Sequence, residues 1–156
     1  MSKLSYTILE NKEEINIYGL RQKSNDKTQS KDISVLSKEF YKVANKKGGE
    51  VLPFFVVSKD YNEITKDFEL LIGGLLKNDN LQAFTIPRGV YAKVTVKPKI
   101  GFLWGLSIGE AKRFFYTKWL PKHGYTANNM EYEYHTEVSI GKHPQIDILF
   151  SIRKVL

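Results

Sequence analysis

The residues best suited to chemistry lie in one segment, Met130 to Val138 (MEYEYHTEV), where acidic and aromatic side chains alternate. Alternation with a period of two is the pattern of a half-buried strand, which sends successive side chains to opposite faces. It groups Glu131, Glu133, His135 and Glu137 on one face and Tyr132 and Tyr134 on the other. The expectation is that the tyrosines face the helices and the carboxylates occupy the open face opposite them. Clustered carboxylates in a chain of net charge +7 make a locally acidic seat, suited to a cationic amphipathic ligand. His135 beside Glu133 allows a second chemistry, an acid/base pair, if the two converge on a substrate. His123 and His143 fit no metal spacing with it, so no metal or other cofactor is expected. Eighteen Phe and Tyr residues, with Trp104 and Trp119, exceed what a small core needs. Tyr91, Phe55 and Tyr61 are candidates to line a ligand groove, and Leu149 and Trp119 complete the candidate ligand-binding set.

Several chemistries are absent. With no cysteine there is no disulfide scaffold, no cysteine-ligated metal and no thiol nucleophile. Neither a glycine-rich phosphate loop nor a nucleophile elbow occurs, and no helix-turn-helix signal is present. The 24 basic residues are scattered as short doublets and include only four arginines, so direct DNA binding is not expected. No run of about 18 apolar residues exists, and the first residues carry charges every few positions, which excludes a signal-peptide core. A cytoplasmic protein without membrane contact is the expectation.

The elements that must position these residues read as two similar halves. In the first, Glu14 to Lys23 is a strand followed by a polar loop. Ile33, Leu36, Phe40 and Val43 then recur at helical spacing from about Asp32 to Lys47. Pro53 to Ser58 and Asp67 to Gly73 are two further strands. In the second half, a strand lies within Ala83 to Lys97, with Val90, Ala92, Val94 and Val96 on one face. PKIGFLWG is a turn-rich connection. Ser107 and Glu110 form a capping box ahead of a helix whose stripe is Ile108, Ala111, Phe115 and Trp119. Met130 to Val138 and Gln145 to Lys154 are strands parted by the turn SIGKHP. In the last, Ile146, Ile148, Phe150 and Ile152 share one face and Leu149 lies on the other.

The order strand, helix, strand, strand therefore occurs twice, in modules of about residues 1–77 and 81–156 within a single domain. The fold expected is α+β: two such modules related by a pseudo-twofold, forming a curved antiparallel sheet with two helices on one face and the ligand groove on the other.

Five stretches together resemble the GyrI-like small-molecule-binding family, whose fold is shared by effector-binding domains of some AraC-type and MerR-type transcription regulators. They are INIYGLRQKSN, DFELLIGG, WLPKHGY (Trp119 to Tyr125), YEYH (Tyr132 to His135) and IDILFSIRK (Ile146 to Lys154). The resemblance implies a groove for hydrophobic, often cationic, compounds, with a glutamate of the penultimate strand facing the ligand, a position that Glu133 matches. His135, Leu149, Ser151 and Ser37 depart from residues frequent in the family. The chain resembles the stand-alone members, since no DNA-binding segment precedes the domain. The implied function is sensing or sequestration of an amphipathic molecule. A hydrolase of reactive xenobiotics using the same groove, and a protein-binding inhibitor such as one of a topoisomerase, remain as alternatives.

Overall fold

The computed structural model describes residues 4–97 and 104–155. In chain order the elements are β1 (Tyr6–Lys12), β2 (Ile15–Asn25), α1 (Gln29–Ala44), β3 (Phe54–Lys59), β4 (Asp67–Gly74), β5 (Gln82–Ile86), β6 (Gly89–Val96), α2 (Trp104–Phe114), β7 (Tyr125–His135) and β8 (Ile146–Lys154). The strands form one antiparallel sheet in the order β1-β6-β8-β7-β3-β4-β2-β5. The sheet's halves mirror each other about the β7–β3 pair, so the α+β class and the duplicated order read from the sequence hold.

The connections make the sheet curl. β1 and β2 stand six places apart in the sheet, as do β5 and β6. Flat, that separation is about 29 Å at the usual strand spacing. Yet only Glu13 and Glu14 join β1 to β2, and only Pro87 and Arg88 join β5 to β6, a reach of at most about 11 Å from one strand end to the next. The flanks must therefore roll toward each other and enclose the inner face. Each half also contributes its first strand to the other: β1 pairs with β6, and β5 with β2. Near one end of this curl Gly19 pairs with Gly73. A Cβ on either would fall inside the opposite backbone, well within van der Waals contact of Ile72 O or Tyr18 O, so glycine is required for that approach.

Both faces of the sheet are apolar. On the outer face α1 buries Leu36 and Phe40 against Phe54, Val56, Phe68, Leu70 and Ile72 of β3 and β4. Helix α2 places Ala111, then Phe115 and Trp119 beyond its end, over β6 and β8, with the Phe115 ring stacked 3.9 Å from Phe150. After Phe114 the coil widens to a π turn over Phe115–Trp119 and tightens to a 3₁₀ turn over Leu120–Lys122. On the inner face Ile17, Phe55, Val57, Leu71, Ile86, Tyr91, Met130, Tyr132 and Leu149 pack together.

Several sequence-based boundaries change. The segment Ala83 to Lys97 is two strands, because Pro87 between them cannot donate to a ladder and Gly89, at φ +159°, opens the second. Strand β1 had no alternation strong enough to mark it. Residues 98–103 of the expected PKIGFLWG connection lie outside the described residues, and Trp104 is already helical, so Ser107 sits within α2 instead of capping it. A capping box does form at Thr136 and Ser139, which ends β7 at His135 by starting a 3₁₀ turn, Glu137–Ile140.

The main correction concerns β7. Opposed residues of neighbouring strands share a face, and Glu131 opposes Phe150 while Glu133 opposes Ile148. Phe150 and Ile148 lie beneath α2, so the glutamates point to the helix side, and Tyr132 and Tyr134 to the inner face. Burying tyrosines and exposing carboxylates is the right preference for a one-sided sheet. Here the rolled inner face is closed over as well and takes the rings, with Tyr132 1% exposed.

Candidate functional site

The two helices flank a strip of the outer face formed by the β3–β7 pair. In register, Phe54 opposes His135, Val56 opposes Glu133 and Ser58 opposes Glu131. Contacts run continuously across this strip from one helix to the other. Tyr41 of α1 stacks on Phe54 at 5.7 Å, and Phe54 meets the His135 ring edge-on at 6.2 Å. His135 Nε2 lies 3.1 Å from Glu133 Oε1. Lys112 Nζ of α2 lies 3.7 Å from Glu133 Oε2 and 3.2 Å from Glu131 Oε2, and Tyr116 OH donates to Glu131 Oε1 at 3.2 Å. The α1 end is thus aromatic and the α2 end acidic.

Burial sets the electrostatics. Glu133 is 6% exposed, which alone would push its carboxyl up. The His135 hydrogen bond and the Lys112 ammonium outweigh that and hold it below the usual carboxylate range. Burial would lower Lys112, but Glu131 and Glu133 together hold it above the usual lysine range. Both partners are therefore ionised. Burial, followed by the Glu131 charge, pushes the Tyr116 phenol far up, which keeps it a donor. A buried ion cluster is weak evidence of stabilisation, since desolvation costs about as much as the pairing returns.

The expected site residues do not form one site. Glu133 and His135 come together as a pair. Tyr91, Phe55 and Leu149 come together with each other, but in the packed inner cluster, with β7 between them and Glu133. They do not wall a groove shared with it, because the strand that carries Glu133 turns the opposite edge of its pleat toward them. There Tyr91 OH donates to Pro87 O at 2.5 Å, and burial pushes that phenol up to about 12. Tyr132 OH is buried without a partner among the described residues. The Lys12 ammonium lies 5.8 Å from the Tyr132 ring centre and 6.0 Å from that of Tyr91. Tyr61 belongs to the loop after β3, where its OH donates to Asp26 at 2.7 Å. Trp119 is core, stacked on Phe115 and on His123. Among the described residues no cluster of His, Asp and Glu could hold a metal ion, and no helix is long and apolar enough to cross a membrane.

Sequence reasoning missed Lys112, Tyr116, Phe54 and Tyr41. A signal existed for the first two. Positions 112 and 116 are one helical turn apart and sit directly beside the buried 111–115–119 stripe, where a long polar side chain can lie under the helix edge.

Comparison with known proteins places this geometry. None of the curated proteins matches the sequence. Among solved structures, an integron cassette protein from the mobile metagenome of Vibrio cholerae is similar with TM-score 0.67 and 13% identity, over 95% of each chain. SAV2435, solved bound to tetraphenylphosphonium, is similar with TM-score 0.67 and 10% identity, over 96% of this chain and 94% of that one. The EcmrR C-terminal domain is similar with TM-score 0.59 and 17% identity, over 97% and 99%. At such identities the likeness is one of fold. The description of the GyrI-like small molecule binding domain, in contrast, matches the sequence itself over residues 7–145, and the chain therefore belongs to that family.

Proposed function

We propose that this chain binds a hydrophobic, cationic small molecule on the strip between α1 and α2, with Glu133 as the electrostatic anchor, and that it serves to sense or sequester that compound. The observation that carries the reading is the polarity of the strip. Tyr41, Phe54 and His135 form a run of rings that ends at two neighbouring carboxylates. A lipophilic cation matches both ends at once, placing apolar rings against rings and its charge against Glu133. Formal charge points the same way. With a neutral imidazole, Glu131 and Glu133 carry two negative charges against the single positive charge of Lys112, so the seat retains a net −1. Family membership supports small-molecule binding in general, and the tetraphenylphosphonium held by SAV2435 supplies a probe of the right chemistry.

The test is isothermal titration with tetraphenylphosphonium. Glu133→Gln keeps the shape and removes the charge, and should weaken binding by about 1–3 kcal/mol if the carboxylate is desolvated by the ligand. Tyr91→Phe, on the inner face, should leave affinity unchanged. Equal affinity of the Glu133→Gln variant and the parent chain would refute the anchor.

A further inference from the structure

We propose that Lys112 is a tethered competitor: its ammonium occupies the place of a ligand's cationic group, so a cation binds only by expelling it. This rests on the binding site proposed above and assigns Lys112 the role of setting its affinity.

The oxygens carry the inference. Glu133 Oε1 is held by His135 and Glu131 Oε1 by Tyr116, while both Oε2 atoms face Lys112. Each carboxylate oxygen of the seat thus faces one of three partners, and an incoming cation that sits against these oxygens takes the place of one of them. His135 and Tyr116 are hydrogen-bonded, at 3.1 and 3.2 Å. Lys112 spreads one ammonium over two carboxylates, at 3.2 Å from Glu131 Oε2 in a geometry poorly aligned for a hydrogen bond and at 3.7 Å from Glu133 Oε2. Its hold is chiefly one of charge, and it is the partner most easily exchanged for another charge.

The side chain suits that exchange. Lys112 is 17% exposed, at the edge of α2, and its four-carbon stem rotates freely, so the ammonium can swing into water without movement of the helix. Arginine, forked and bidentate, would be harder to expel. A tethered cation also discriminates by charge. A neutral aromatic compound gains nothing from the carboxylates and does not replace the lysine, whereas a cation recovers the pairing that Lys112 gives up.

The experiment measures the affinity of tetraphenylphosphonium and of neutral triphenylphosphine oxide by isothermal titration at about pH 8, above the ordinary histidine range. The parent chain is compared with Lys112→Met, which keeps the stem and removes the charge. The pair Glu131→Gln and Glu131→Gln/Lys112→Met serves as a second comparison, because losing one charge of each sign spares the fold two unpaired carboxylates. In both comparisons removal of the ammonium should tighten tetraphenylphosphonium binding about tenfold or more and change triphenylphosphine oxide binding less than about threefold. Unchanged or weaker phosphonium binding overturns the competitor role and leaves the site standing. An equal gain for both compounds also overturns it, making Lys112 a steric plug. Absence of phosphonium binding in every variant overturns both this role and the site itself.

Discussion

Two phenols of the inner cluster should respond with opposite signs to loss of the same atom. Tyr91 and Tyr132 are each 1% exposed and meet edge to face with ring centres 6.0 Å apart, so their apolar surroundings are matched. They differ in the hydroxyl. Tyr91 OH donates to Pro87 O, while Tyr132 OH has no partner among the described residues. A satisfied hydrogen bond contributes about 0.5–1.5 kcal/mol net, and an unsatisfied buried polar group costs about 1–3 kcal/mol. Tyr91→Phe should therefore destabilise by about 1 kcal/mol and Tyr132→Phe stabilise by about the same, a gap of about 2 kcal/mol. The Lys12 ammonium lies 6.0 and 5.8 Å from the two ring centres, so its cation–π contact enters both variants alike and cancels in the gap. Urea unfolding followed by circular dichroism measures the difference, provided the m-values of the two variants agree. A Tyr132→Phe variant that loses as much stability as Tyr91→Phe would show that its hydroxyl is satisfied, and would refute the dry inner face.

Other expectations follow from the same contacts. The folded-state pKa of Glu133 is depressed, so its contribution is present above the unfolded value near about 4.3 and is lost as pH falls through the folded value. The stability gap between the parent chain and Glu133→Gln should accordingly close on acidification below about pH 4 in urea titrations, and a gap that widens there would contradict the assignment. Gly19→Ala forces a Cβ into Ile72 O and should cost several kcal/mol, far above the roughly 1 kcal/mol typical of point changes; near-parent thermal stability would show that the strands can separate. Phe115→Ala removes the ring between Phe150 and Trp119 and should cost about 3–5 kcal/mol by the same assay. Tyr6→Phe removes the hydroxyl that ties β1 to Ala111 O of α2 and should cost about 1 kcal/mol; an unchanged urea midpoint would show that the tie contributes nothing.

The sequence was most legible where one face of an element is decisively apolar. The α2 stripe through Ala111 and Phe115, the faces of β6 and β8, and the strand-helix-strand-strand order could all be read from spacing, because each of those elements buries one side beneath a helix. Reading failed in β7, where the residues on the helix side are the acidic ones. In β7 the alternation of Glu and Tyr was plain, but periodicity gives the two sets of residues and not the direction either set faces. That direction is fixed by long-range pairing with β8 and by the roll of the sheet, neither of which is a local property. The site followed the same division. Glu133 and His135 could be found as a pair on one strand, whereas Lys112 and Tyr116 reach them from a helix that begins in a different part of the chain. The inner-face aromatics Tyr91 and Phe55 were attractive wall candidates only while that face was taken to be open.

The reciprocal placement of β1 and β5 means that the repeat visible in the sequence is not a unit that can stand alone. A fragment ending near residue 77 keeps β1 but lacks β6, its mate, and leaves β2 with a bare flank where β5 belongs. What was duplicated in pattern has become interdependent in three dimensions, like two clasped hands, and contacts that close the clasp join residues far apart in the chain, as Tyr6 with Val94 and Ile15 with Ile86. Such closure is entropically late and slow to form. The chain should therefore gain or lose its structure as a whole, and any ligand held at the seam between the halves would stabilise both together.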